Sequence, residues 1–259
     1  MGYILRVTLH VAAMLLCLSV LGPAQGHAIP AASINDIDFM TEQYPPFNYM
    51  HNGTLKGISV ELLDLVFKEL NATVSVNNVR HLPWARAYKT ALHVPDSCLF
   101  VMTRSGFREN LFKWAGPVMP TTIAVIARKD RNMQVPDAQA LKAHTIAALH
   151  DDIGHSLLIN AGYPEKRIAT NPYASSIIEM LNKRRVDAWA YEESVARYFI
   201  GEAGYDPDDF ETIFTLESSE LYFAFNISTP DAIIRDFQNA LDVLRERGEV
   251  ESIIRRYIR

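Results

Sequence analysis

The chain has 259 residues, 49% hydrophobic and 21% charged, with a formal net charge of −5 at neutral pH. A chain of this length and balance can bury a sizeable core, and its mildly acidic charge argues against a nucleic-acid partner. Two cysteines, Cys17 and Cys98, leave little scope for a disulfide framework.

The first segment reads as an export signal over residues 1–28. Arg6 supplies a positive start, Val11–Leu21 is an apolar run of signal-peptide length, and Pro23 and the small-residue site Gly26-His27-Ala28 follow. Cleavage is expected near Ala28. The apolar run is short for spanning a bilayer, and Cys17 lies inside it after Leu16, a poor position for lipid attachment. Arg6 is the leader's only charged residue, so its removal takes the formal charge from −5 to −6. Cys98 is then the only cysteine, which excludes an internal disulfide.

In the mature part, Asp38–Thr41 is a β-like run that ends at Tyr44-Pro45-Pro46-Phe47. Adjacent prolines fix φ and remove two backbone donors, so the strand cannot continue. Tyr44 and Phe47 therefore sit on a rigid loop at a strand end, where ligands bind in open α/β sheets. Asn52-Gly53 reads as a hairpin turn. Gly57 opens an amphipathic helix over 59–70, with Leu62, Leu63, Val66, Phe67 and Leu70 on one face. Thr73–Val76 alternates as a strand, and a helix is expected from Pro83 through Leu92. Leu99–Met102 is a buried-strand pattern followed by the polar turn Thr103–Gly106.

Beyond Pro117 and Pro120, Thr122–Ala127 reads as a strand entering a second lobe. The strand Thr145–Ala148 and helices over 153–161 and 175–183 follow. Asp187–Ala190 is a strand before a helix starting at Glu192 or Glu193. Leu221–Phe225 is again a buried strand. Thr229-Pro230 caps a helix lined by Ile233, Ile234, Phe237, Leu241 and Leu244 and ended by Gly248. A last helix spans 250–258. Alternating strands and helices predict an α/β protein.

The run MTEQYPPFNYMHNGTLKGISVELLDLVFKEL, Met40 to Leu70, together with this order of elements, resembles the bacterial family 3 extracellular solute-binding proteins. Those are periplasmic receptors for polar amino acids and related small solutes. The resemblance extends from about residue 36 to the end. It implies a two-lobed, type II (Venus-flytrap) α/β fold with two crossover hinge strands. Lobe one would comprise 29–120 and 222–259 and lobe two 121–221, with crossings near 117–121 and 219–222.

In Met102–Arg108, Thr103 and Arg108 reproduce the five-residue spacing that amino-acid-binding members use to hold a carboxylate. A guanidinium is always charged, and its planar fork matches both carboxylate oxygens. On spacing alone Arg108 reads as a solvated surface arginine, the usual fate of an arginine on a loop; the surrounding resemblance favours the ligand-binding reading. Arg104 departs from the family pattern, and it either faces solvent or adds a second positive charge. The resemblance puts Glu192 where an Asp receives the ligand's ammonium, although Glu192 and Glu193 also read as helix N-terminal acids. Tyr44 and Trp84 are implied to wall the ligand, with Phe47 supporting the loop from beneath and Arg86 in solvent. The His150–His155 segment follows a strand and opens a helix whose N–H groups could bind an anion. The family places ligand contacts on this loop, so Asp152 joins the candidate set. As a metal site its two histidines lack a convincing ligand set, and no catalytic elbow, phosphate loop or dinucleotide fingerprint implies a cofactor.

The resemblance implies a periplasmic binding protein rather than an enzyme. It would capture an amino acid or small carboxylate by lobe closure and deliver it, as a monomer, to a membrane ABC permease. The alternatives are a sensory subunit presenting ligand to a membrane kinase, and a dehydratase-like enzyme on the same fold with Glu192 as general acid.

Overall fold

The computed structural model describes residues 33–257. The export signal and its cleavage site lie outside the described residues. The chain first forms β1 (Asp38–Thr41), a hairpin of β2 (Tyr49–His51) and β3 (Thr54–Lys56), and α1 (Ile58–Glu69). Next come β4 (Arg80–His81), α2 (Trp84–His93), β5 (Ser97–Thr103) and the long β6 (Phe112–Arg128). The middle of the chain forms α3 (Ala138–Leu141), β7 (Ile146–Leu149), α4 (Ile153–Asn160), β8 (Ile168–Asn171), α5 (Ala174–Asn182), β9 (Ala188–Glu192) and α6 (Glu193–Glu202). The long β10 (Phe210–Asn226), α7 (Asp231–Glu246) and α8 (Glu249–Tyr257) complete the described chain.

One sheet runs in the order β4-β1-β5-β10-β6-β9-β7-β8. Strands β6 and β10, 17 residues each, pair antiparallel along their lengths. One end of β10 pairs with β5 through Leu221–Phe225, and the opposite end of β6 pairs with β9 through Ile123–Ala127. Between these stretches the two strands run side by side as a ribbon, with Ser219 opposite Thr121 and Glu220 opposite Pro120. This ribbon joins two lobes, each with its own parallel strands and helices.

Each lobe has a core of the expected kind. Strands β5 and β9 are buried on both faces and read as continuous apolar runs. In lobe one Phe39 packs edge-on against Phe67 at 5.0 Å, and Phe225 meets Phe237 at 5.2 Å. In lobe two Val125, Ile146, Leu158 and Ala188 form the centre, and the Tyr163 hydroxyl donates to Leu141 O and His144 O.

Two local expectations change, and one strand was not foreseen. Thr73–Val76 is not a strand: Asn35 Oδ1 accepts from the N–H groups of Thr73 and Val74, and Asn78 Oδ1 accepts from Ser75 N and Oγ. Local side-chain bonds satisfy the backbone there, and β1 takes Arg80–His81 as its parallel partner instead. Pro117 and Pro120 do not delay the strand, which starts at Phe112. Up to Ile123 β6 is paired on one side only, where a missing N–H is tolerated. The edge strand β8 is too short and too polar to have been read from alternation.

Candidate functional site

The Tyr44 loop owes its position to the start of α1. Gly57 precedes that helix at φ +124°, and a Cβ there would meet the Phe47 carbonyl oxygen at 2.2 Å. Because glycine allows this approach, the first helical N–H groups reach the loop: Ile58 N donates to Pro46 O and Ser59 N to Phe47 O. Ser59 Oγ donates to Phe47 O at 2.7 Å and to Asn48 Oδ1 at 3.0 Å. Asn48 in turn donates to Glu42 O and accepts from Val101 N, fastening the loop to β5. Tyr44 is buried, with its ring 5.5 Å from Phe47 and 5.9 Å from Tyr191 of the other lobe.

Arg108 is 1% exposed. Its guanidinium lies 5.2 Å from both the Trp84 and Tyr88 rings and 5.4 Å from Phe107. Such contacts are worth about 0.5–2 kcal/mol each, less than the several kcal/mol it costs to desolvate an unpaired charge. Nη1 makes a long hydrogen bond, 3.4 Å, to the Thr103 carbonyl. Nε and Nη2 have no partner in the protein, and neither does the buried Ser105 hydroxyl. Burial pulls the guanidinium pKa down, and Asp152 is the leading opposing influence.

Asp152 reaches this place because α4 is pressed onto β9. A Cβ on Gly154 would meet the Ala190 carbonyl oxygen at 2.4 Å, so only glycine lets the helix start so near the strand end. Asp152 precedes that helix, is 4% exposed, and has Oδ2 buried without a partner. Burial raises its pKa and the Arg108 charge draws it back. The two charges thus influence each other from opposite lobes.

Glu192 caps a helix and also reaches the ribbon. Its Oε2 accepts from Val195 N at 2.7 Å and Ser194 Oγ at 2.6 Å, capping α6, while Oε1 accepts from Thr121 Oγ1 at 3.3 Å on the ribbon. It is nevertheless buried, and that burial raises its pKa against the pull of these bonds. Trp84 begins α2, and its indole N–H donates to the Asp151 carbonyl at 2.8 Å, tying the lobes together.

All six sequence candidates, Tyr44, Trp84, Thr103, Arg108, Asp152 and Glu192, are therefore buried where the lobes meet. Arg104 stands apart: it pairs with Glu109 and lies over Tyr222 at 5.0 Å, so its charge is already matched. Arg86 is exposed, and His155 accepts from Asp151 N. Among the described residues no group of three or more His, Cys, Asp or Glu side chains is placed to hold a metal ion.

Sequence reasoning missed Glu42, Ser105, Tyr88 and Tyr191. Glu42 is 7% exposed, and burial together with Asp152 pushes its pKa well up while Arg108 opposes. It follows β1 directly, and a carboxylate at the carboxyl end of a central strand was the available signal. An open groove of about 580 Å³ runs beside the ribbon, walled by Arg104, Ser105, Glu109, Thr121, Ser219 and Tyr222.

Two lobes on a strand ribbon, with unpartnered charged atoms buried between them, define a bilobal ligand receptor. The chain belongs to the bacterial extracellular solute-binding proteins, family 3, whose family model matches residues 39–259. It is 23% identical to the probable amino-acid-binding protein YxeM of Bacillus subtilis (strain 168), over 96% of this chain and 93% of that one. Among solved structures it is similar to a histidine kinase sensor domain that resembles periplasmic binding proteins, with TM-score 0.75, 19% identity, and 86% and 97% of the two chains covered. It is also similar to a Streptococcus pneumoniae ABC uptake transporter substrate-binding protein with bound histidine, with TM-score 0.74, 14% identity, and 86% and 93% covered. These likenesses establish the two-lobed periplasmic-binding-protein fold of type II. Among the described residues no helix is long and apolar enough to cross a membrane.

Proposed function

We propose that this chain is a periplasmic receptor for an amino acid, enclosed by closure of lobe two (121–221) onto lobe one (29–120 and 222–259). The observation that carries the reading is the Arg108 fork: two buried, unpartnered guanidinium nitrogens beside the unpartnered Ser105 hydroxyl. Three donors on one turn suit a carboxylate, with Thr103 fixing the fork through its carbonyl. Across the lobes, Asp152 and Glu192 receive the ammonium, and Tyr44 and Trp84 enclose the stem. A small carboxylate without a cation fits less well, because it leaves the buried acids of lobe two unmatched.

Closure works by bridging. Arg108 belongs to lobe one and Asp152 to lobe two, so a ligand carrying both signs stabilises the closed form in proportion to its preference for it. The monomeric, liganded form then docks on a membrane ABC permease. The YxeM likeness and the S. pneumoniae importer component support this reading. The likeness to a kinase sensor domain favours a second reading, in which the same closed form signals to a membrane kinase.

The test is a thermal-shift screen with the common amino acids and small carboxylates, since a ligand that binds only the folded state raises Tm with concentration. Amino acids that shift Tm where simple carboxylates do not support the reading. A response to carboxylates alone contradicts it. Loss of labelled-ligand uptake in a deletion strain separates transport from loss of a transcriptional response.

A further inference from the structure

The carbonyl that receives the Trp84 indole across the lobes belongs to Asp151, a residue in an uncommon conformation. Asp151 stands at φ +60°, a region that residues with a Cβ seldom enter. The helix that follows holds it there. His155 lies in the first turn of α4, and its Nδ1 accepts from Asp151 N at 3.2 Å. A first-turn side chain that reaches back in this way fixes the entry of the chain into the helix. Asp151 is thus gripped at both ends of its peptide frame, at the N–H by His155 and at the carbonyl by Trp84 of lobe one.

This grip requires a neutral ring. A backbone N–H can only donate, so Nδ1 must offer a lone pair and the ring proton must sit on Nε2. Protonation turns Nδ1 into a donor that faces a donor. It also sets a positive charge at the N-terminal end of a helix, where the macrodipole opposes it. The groups that act on the ring are His150, Asp151 and, from the turn after α4, Glu165. The His150 ring lies 5.8 Å from that of His155, and its Nδ1 is 3.0 Å from the Asp151 carboxylate. Burial, the largest influence, and His150 pull the His155 pKa below its usual value, and the two acids oppose them.

We propose that His155 makes lobe closure sensitive to pH: the neutral ring holds loop 150–152 in the shape that meets Trp84, and the protonated ring releases it. The direction follows from the geometry. Neutral His155 favours the closed form fully above the ordinary histidine pKa, about 6.5, and this contribution is lost as pH falls through the lower native value. Acidification therefore opens the seam at the loop that also carries Asp152. The inference needs only the two lobes and their contact, whichever ligand the cleft takes.

Nitrogen-15 NMR of the unliganded protein tests it, by following the His155 ring, the Asp151 amide and the Trp84 indole N–H from about pH 8 to about pH 5, the range in which histidine titrates. The comparison is with His155→Asn, whose Oδ1 replaces Nδ1 as an acceptor and cannot be protonated there. In the wild type all three signals should move together, with one midpoint below about 6.5. In H155N the amide and indole signals should lose that movement. An indole signal that stays still in the wild type overturns the proposal, and does so even should H155N not fold. A movement of equal size in both proteins belongs to the buried acids Glu42, Asp152 and Glu192, and overturns it too. His150→Asn should keep the coupled movement, and its loss there would assign the switch to His150 and overturn the role of His155. Small-angle X-ray scattering then reads closure itself. The radius of gyration should rise on acidification in the wild type and not in H155N, and a wild-type radius that does not change overturns the link to closure.

Discussion

Arg108 and Asp152 occupy opposite lobes, each buried and each sensing the other's charge, yet they form neither an ion pair nor a hydrogen bond with one another. A folded protein seldom leaves two such groups unmatched, because each carries a desolvation cost of several kcal/mol. Their separation makes sense when a third molecule supplies the missing charges.

The burial of Glu42 has a consequence for stability that needs no ligand. Burial raises the native pKa of Glu42, so the native state holds this proton more tightly than the unfolded chain does. Its stabilising contribution is complete below the ordinary carboxylate pKa, about 4.3, and is lost as pH rises through the raised native value. Glu42→Gln removes that loss. Unliganded E42Q is expected to be more stable than wild type at neutral and alkaline pH, and the two melting temperatures should converge near pH 4. A Tm difference that does not vary with pH would show that Glu42 is not a buried, ionisable neighbour of Asp152.

Trp84 joins the lobes through its indole N–H and the Asp151 carbonyl. Trp84→Phe keeps a ring over Arg108 and deletes that bond, at a cost of about 1 kcal/mol. The loss should appear as ligand dissociation several-fold faster, with association little changed. Stopped-flow fluorescence from the remaining tryptophans measures both rates. An unaltered dissociation rate would mean that the contact does not help to hold the closed form.

Much of this arrangement was legible in the chain. Tyr44-Pro45-Pro46-Phe47 marks a rigid strand-end loop because prolines act locally, and the spacing of Thr103 and Arg108 survives as one buried turn. Glu42 could have been picked out by its place after β1, but its burial and its exposure to the charge of Asp152 were not legible, since nothing in its neighbours announces them. The place of Asp152 is set by Gly154, which lets α4 press on β9 and carry Asp152 inward. Glu192 shows the opposite limit. Its sequence allowed a helix cap or a cleft acid, and the structure shows the cap, on a side chain that is also buried. Local polar bonding also hid the true partner of β1, because Asn35 and Asn78 satisfy the backbone of an alternating segment without a ladder.

Gly57 holds the Tyr44 loop against α1, at a φ that side chains rarely adopt and with the Phe47 carbonyl in the space of a Cβ. Gly57→Ala should cost on the order of 3 kcal/mol. Chemical denaturation is the measurement, and ligand affinity should fall with it as the loop shifts. A variant within experimental error of wild type in both would show that the loop is positioned by something other than this close approach.

The central claim is that the Arg108 fork holds the ligand's carboxylate. Calorimetry of Arg108→Ala, with the ligand identified by screening, tests it most directly. The variant loses a buried charge that has no ion-pair partner, so its own stability should change by no more than about 2 kcal/mol. Its affinity should fall by roughly a hundredfold or more, as when one partner of a buried charge pair is removed. A folded R108A that binds the same ligand with wild-type affinity would contradict the account.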